Sequence, residues 1–175
     1  MQQLIECVPN ISEGNDQDKI NSIVNKISSI EGVTILDVDS GKDTNRTVVT
    51  FVGEPATVLE GAFQGIKEAS KLIDMSNHAG THPRIGATDV CPLIPIKNIT
   101  MDECVEYSHQ LAERVGAQLK IPVYLYENSA KNPDRKSLTN IREGEYECLE
   151  KKLNDKLWKP DFGPSAFNAF SGATV

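Results

Sequence analysis

Two of the chain's three histidines, an arginine and an aspartate fall within one short stretch, His78-Ala79-Gly80-Thr81-His82-Pro83-Arg84-Ile85-Gly86-Ala87-Thr88-Asp89-Val90. An imidazole titrates near neutrality, so a positioned histidine is the usual general acid or base, worth roughly 10²–10⁴ in rate. His82 has the stronger claim, because Pro83 confines its backbone to extended conformations and Arg84 follows it in a glycine-flanked loop. The bland reading of any loop histidine is a hydrogen-bonding surface residue. The four-residue spacing of His78 and His82 would align both rings on a helix, where with Asp89 they could ligate a metal and serve a hydrolase. Gly80 and Pro83 oppose a continuous helix, and no glutamate accompanies the pair, so metal ligation is the weaker reading and no metal is expected. His109 reads as ordinary surface.

The other chemistry-bearing residues are dispersed. Asp39 ends a strand-like run; it either terminates that strand or hydrogen-bonds an imidazole and fixes its tautomer, and spacing does not choose between these. Lys42, Arg46, Arg84, Arg135 and Arg142 stand at loops or strand ends where an anionic substrate could meet them. The planar fork of arginine suits a carboxylate. Cys7, Cys91, Cys104 and Cys148 lie far apart with no C-x-x-C spacing, which argues against a zinc knuckle or a redox pair and predicts buried thiols.

The elements that must position these groups are legible from periodicity. Leu4-Ile5-Glu6-Cys7-Val8 reads as a strand ended by Pro9-Asn10. Ile20, Ile23, Val24, Ile27 and Ile30 form one helical stripe. Residues 33–39 and 46–52 read as paired strands around a turn-rich segment. A second helix follows Gly53, with Pro55 in its first turn and a stripe from Val58 to Ile73. Residues 87–96 are strand-like but interrupted by Pro92 and Pro95, and Thr100 and Glu103 fit a capping box before a third helix. Residues 122–126 read as a further strand, 137–142 and 146–157 as short helical pieces, and 161–175 as a tail of little regular structure.

This order is an extended split βαβ arrangement. It predicts an α+β fold, a two-layer α/β sandwich with a mixed sheet and helices on one face. At 175 residues, one domain can remove roughly 70% of the unfolded chain's surface from water. A hydrophobic content of 39% with short apolar runs predicts no membrane span, and no secretory signal is evident, so a cytoplasmic location is expected. A net charge of −7 removes the overall basic field typical of nucleic-acid binders.

Glu6-Cys7-Val8-Pro9-Asn10-Ile11-Ser12-Glu13-Gly14, Leu36-Asp37-Val38-Asp39, Thr44-Asn45-Arg46-Thr47-Val48, His78-Ala79-Gly80-Thr81-His82-Pro83-Arg84, Asp89-Val90-Cys91-Pro92 and Asp161-Phe162-Gly163-Pro164-Ser165 together resemble the N-terminal subdomain of glutamate formimidoyltransferases. The resemblance covers essentially the whole chain, residues 1–175. It implies transfer of a formimidoyl group between N5 of tetrahydrofolate and the amino group of glutamate, in histidine degradation. A related activity uses 5-formyltetrahydrofolate. The implied ligands are that folate co-substrate and glutamate or N-formimidoylglutamate, with a homodimer also suggested.

By the same resemblance, His82 matches the acid/base histidine and Asp39 a carboxylate near it. Gly163, Pro164, Ser165, Ala166, Phe167, Asn168, Ala169, Phe170, Ser171 and Gly172 match a folate-contacting segment. Arg46 and Arg84 as carboxylate or pterin-side anchors are read from residue type, not from the resemblance. Family members continue beyond residues 172–175 into a second α/β subdomain, with folate between the two sheets. The tail from about residue 159 is therefore expected to lead toward that C-terminal subdomain, or a partner chain in its place. An exposed, partly apolar sheet face and weak or absent transfer by the chain alone are expected. The alternative is a non-catalytic folate-binding or assembly module that lacks activity without a second half.

Overall fold

The computed structural model describes residues 2–175. Its sheet is built from β1 (Leu4–Cys7), β2 (Asn10–Ile11), β3 (Thr34–Gly41), β4 (Arg46–Gly53), β5 (Thr88–Val90) and β6 (Leu93–Lys97). β1 and β2 are two pieces of one run, parted at Pro9, and β5 and β6 are parted in the same way at Pro92, because proline has no N–H to give the ladder. β4 pairs with the β3 hairpin arm on one side and with β1 and β2 on the other; β6 then pairs with β1, and β5 with β2.

The ladders are antiparallel, where a mixed sheet was expected. Among the described residues, parallel pairing is confined to an isolated bridge between Val123 and Thr174. The reason lies in the split βαβ connection itself. Its helix-linked strands are parallel but not adjacent, and the gap between them holds a strand antiparallel to both.

Three helices make the second layer: α1 (Gln17–Ser28), α2 (Pro55–Leu72) and α3 (Met101–Leu119). Each begins on the chemistry its sequence provides. Asp16 accepts from the N–H groups of Asp18 and Lys19, Pro55 opens α2, and Thr100 and Glu103 cap each other's backbone ahead of α3. The stripes of Ile20, Ile23 and Ile27, of Val58, Ala62, Phe63 and Ile66, and of Leu111, Ala112 and Val115 are buried. Strict alternation along β4 buries Thr47, Val49 and Phe51 and leaves Arg46, Val48, Thr50 and Val52 half-buried on the opposite face. On the outer strands, Leu36 and Ile96 are exposed.

A second, smaller core gathers Ile85, Val90, Tyr124, Ile141, Leu149, Leu153, Ala173 and Val175. It is roofed by α4 (Leu138–Arg142) and α5 (Leu149–Asn154). The expected strand at 122–126 is extended but pairs only through Val123, to Phe162 and Thr174, since Pro122 cannot donate. The tail is more ordered than its composition suggested: Ser171, Ala173, Thr174 and Val175 are buried. Arg135 pairs with Asp161 at 2.9 Å and donates to the carbonyls of Leu157 and Lys159, so this cation staples the tail and is not offered to a substrate. Cys7 and Cys104 are buried as expected, but Cys91 is half-buried and Cys148 is exposed.

Gly86 pairs with Gly172, and a Cβ at Gly86 would stand 2.0 Å from the Ala173 carbonyl oxygen. Backbone meets backbone there, with nothing flexible to move aside. Gly86→Ala is therefore expected to destabilise the chain by about 1–3 kcal/mol through overpacking. Lys151→Ala, at an exposed position, should change stability by less than about 0.5 kcal/mol. Urea denaturation of the two variants measures the contrast.

Candidate active site

His78 ends a short turn at Met75–Asn77, and residues 78–86 beyond it are irregular. Such a loop takes its shape from bonds to its neighbours. Asn45, in the left-handed region at φ 46°, provides several of them. Its side-chain oxygen accepts from the Gly14 N–H and from Asn15, its amide nitrogen donates to the Ala79 carbonyl, and its own carbonyl accepts from His78 Nε2 at 3.1 Å. Ser12 pins the other end of the loop: its hydroxyl donates to Gly86 and its N–H to Ala87.

Arg84 is buried, with 6% of its surface exposed. Nε donates to His78 Nδ1 at 3.1 Å, one terminal nitrogen donates to Glu145 and Glu147, and the other to Glu147 and the His78 carbonyl. All five guanidinium N–H groups are thus used within the chain. Arg84 clamps the loop to residues 145–147 and has no donor left for a substrate carboxylate. Because a guanidinium only donates, His78 Nδ1 must accept; His78 is neutral, with its proton on Nε2 and directed at Asn45.

The same reasoning sets the state of His82. Arg46 Nη1 lies 2.8 Å from His82 Nε2 and also donates to Asn10 Oδ1 at 2.8 Å. Nε2 must accept, so the ring is neutral with its proton on Nδ1. Burial pushes the His82 imidazole below its ordinary value, and the charges of Arg46 and Arg142 push the same way against an opposing pull from Asp89. The neutral ring is the form a general base needs.

Asp89 sits on β5 with 1% of its surface exposed. One carboxylate oxygen accepts from the Ile85 N–H, closing the loop on itself, and the other is paired with Arg142 on α4. Burial raises the Asp89 carboxyl above the usual range despite the pull of Arg142. Ser12, Thr44, Asn45, Arg46, His78, His82, Arg84 and Asp89 line one small depression.

Asp39 sits on β3 two residues before Gly41, which faces Arg46 across the ladder. It faces Val48 across the β3–β4 ladder and is exposed, and among the described residues its carboxylate makes no hydrogen bond to His82. Asp89, buried behind the loop, pulls the His82 imidazole upward against the stronger effects of burial and of Arg46 and Arg142. Residues 163–172 divide in two. Gly163 packs against Gly116 and the Ile121 carbonyl, whereas the carbonyls of Phe170 and Ser171 accept from Met75 and Ala87 at the two ends of the 78–86 loop. Ala169 accepts from the Tyr146 hydroxyl, and Phe167 rests against that ring. Pro164, Ser165 and Ala166 form the exposed to half-buried link between these ends. Spacing missed Asn10, Asn45 and the Asp89–Arg142 pairing; the only signal was the density of Asn, Thr and Gly around Thr44-Asn45-Arg46.

The split βαβ layer makes this an α+β domain that places a neutral imidazole beside an arginine which, among the described residues, has no carboxylate partner. Residues 4–175 match the family described as the formiminotransferase domain, N-terminal subdomain, and the chain belongs to that family. It is 53% identical over 175 residues to the mouse protein named formimidoyltransferase-cyclodeaminase, covering 100% of this chain and 32% of that one. It is 48% identical to the glutamate formimidoyltransferase of Streptococcus pyogenes serotype M1, covering 58% of it, and 46% identical to that of Thermoplasma acidophilum, covering 57%. The chain thus spans about a third to three-fifths of the length of these relatives.

Two outcomes follow from the geometry. Arg142→Met leaves the Asp89 carboxylate buried and unpaired, at an expected cost of about 3–5 kcal/mol, while adding Asp89→Asn should recover part of it; denaturant titration of the single and double variants checks this. Arg46→Gln removes a positive charge that disfavours the imidazolium. The His82 pKa should therefore rise toward its ordinary value without reaching it, since burial is the larger cause, as read from imidazole shifts in an NMR pH titration.

Proposed function

We propose that this chain supplies the proton-handling wall of a glutamate formimidoyltransferase, with His82 as the general acid/base and folate as co-substrate. The reading is supported by one observation above the others: His82 is neutral, anchored through Nε2 by a guanidinium and set on a loop pinned at both ends.

Tetrahydrofolate, when bound, supplies the N5 nitrogen that exchanges a formimidoyl or formyl group with the amino group of glutamate. The residues present fit such a ligand. Both of the Arg46 hydrogen bonds go to neutral acceptors, Asn10 and His82, so its charge is uncompensated and available to a glutamate carboxylate. The half-exposed Phe170 and the backbone of residues 168–171 border the loop, where a flat ring system could rest.

What the transfer asks of this chain is movement of protons. One must leave the attacking amino nitrogen, and one must reach the departing nitrogen. A neutral His82 takes the first as base and returns it as acid, so a single ring serves both directions of the reaction. As a substrate carboxylate draws Arg46 toward itself, Nε2 is released to accept that proton. Arg46 then links substrate arrival to the freeing of the base. Asp89, behind the loop, favours the imidazolium by its charge and so assists the loaded state. Asp39, on the exposed β3 edge, is assigned to the opposite side of the same site, where it meets substrate and not the imidazole.

In the chain combined with the family's second subdomain, His82→Ala should lower the formimidoyl transfer rate at least ~100-fold while folate binding, followed by calorimetry with 5-formyltetrahydrofolate, persists. Near-unchanged turnover would remove His82 from the acid/base role.

A further inference from the structure

A cavity of about 210 Å³ lies outside the loop site, between α3 and residues 123–129. Its walls are mainly apolar, including Leu93, Val105 and Leu111, and Cys91 stands among them. Behind Cys91, and cut off from solvent, lies Cys7, with the two sulfurs 3.5 Å apart. From the geometry we infer that Cys91 and Cys7 form an oxidation site, in which Cys91 meets a small hydroperoxide through the cavity and Cys7 resolves the product to an intramolecular disulfide.

Three features carry this assignment. First, the thiols come from adjacent runs of chain: Cys7 ends β1 and faces Leu93 in the β1–β6 register, and Cys91 lies two residues before Leu93 in the break between β5 and β6. The sulfurs need to approach by about 1.5 Å to reach the ~2.05 Å of a disulfide, a distance that side-chain rotation on both partners supplies. Second, Cys91 sits where its strand run is interrupted, at Cys91-Pro92, and Cys7 is the last residue of β1 before the break at Val8-Pro9. Third, the two sulfurs differ in access. Cys91 is half-buried and opens to the cavity, whereas Cys7 is fully buried. Burial, with Cys91 alongside, pushes the Cys7 thiol well up, so it waits as a neutral thiol. Tyr126 borders the same cavity, and burial raises its phenol to about 12, which leaves it protonated.

The chemistry balances with the hydroperoxide as sole oxidant. The Cys91 sulfur, as thiolate, attacks the terminal peroxide oxygen; an S–O bond forms, the O–O bond breaks, and the alcohol or water leaves with the proton, giving a sulfenic acid. The Cys7 sulfur then attacks the Cys91 sulfur, forming S–S and releasing water. Each sulfur is oxidised by one electron, and the peroxide takes up two. The bond would join the strand that leads to Asn10, three residues after Cys7, to the strand that carries Asp89, two residues before Cys91. Those two side chains hold Arg46 and Arg142 beside His82.

The test is hydrogen peroxide titration of the native chain carrying Cys148→Ser, which removes the exposed thiol, followed by thiol counting and peptide mass spectrometry. The expected result is loss of two of the three remaining thiols and recovery of a Cys7–Cys91 linked peptide. In a Cys7→Ser version, a sulfenic acid at Cys91 should be trapped by dimedone, and in a Cys91→Ser version Cys7 should stay reduced. Persistence of all three thiols, oxidation confined to Cys104, or disulfides only between chains would each overturn the assignment.

Discussion

A carboxylate in a protein interior is tolerable only with a partner and filled hydrogen bonds, and the architecture around the active loop depends on how Asp89 meets that condition. Its side chain closes the loop through Ile85 and reaches α4 through Arg142, while its carbonyl accepts from Val175. Two segments distant in sequence, α4 and the C-terminal residues, are thereby held to the strand that its own loop leads into. The second core forms around the same residue, with Ile85 and Val90 on the loop side and Ile141, Ala173 and Val175 on the other. An apolar cluster supplies cohesion without direction; the buried carboxylate supplies the register that places the loop.

Two arginines thirty-eight positions apart divide the electrostatic work. Arg84 is saturated, neutralised by Glu145 and Glu147, and its effect is mechanical. Arg46 is held by neutral groups and keeps its charge for whatever approaches. Both hydrogen-bond a histidine, and each sets that ring's tautomer, because a guanidinium has nothing to accept with. The contrast between a spent and an unspent charge distinguishes the surroundings of His78 from those of His82.

The proline breaks at Pro9 and Pro92 have two consequences. They split the two strand runs, with Asn10, whose side-chain oxygen accepts from Arg46, just past the first break and Asp89 and Cys91 just before the second. They also bring Cys7 and Cys91 together beside a cavity. The sheet is weakest in its ladder where it carries the most chemistry.

By itself, the sequence determined the local pieces. The stripes of α1, α2 and α3, the cap at Thr100 and the β3–β4 pair all rest on interactions a few residues long, so periodicity and capping chemistry display them. The ordered motifs, from residues 6–14 to 161–165, also sufficed to indicate the family. Only the tertiary structure decided which charges are consumed and which remain. That Arg135 is spent on Asp161, Arg84 on Glu145 and Glu147, and Asp89 on Arg142 cannot be read from spacing, because each pair spans 26 to 63 positions and forms only when the second core closes. For the same reason the buried Asp89 came to line the depression that holds His82, and cysteines without a shared motif proved to be neighbours: sequence distance says nothing of contact across a folded sheet.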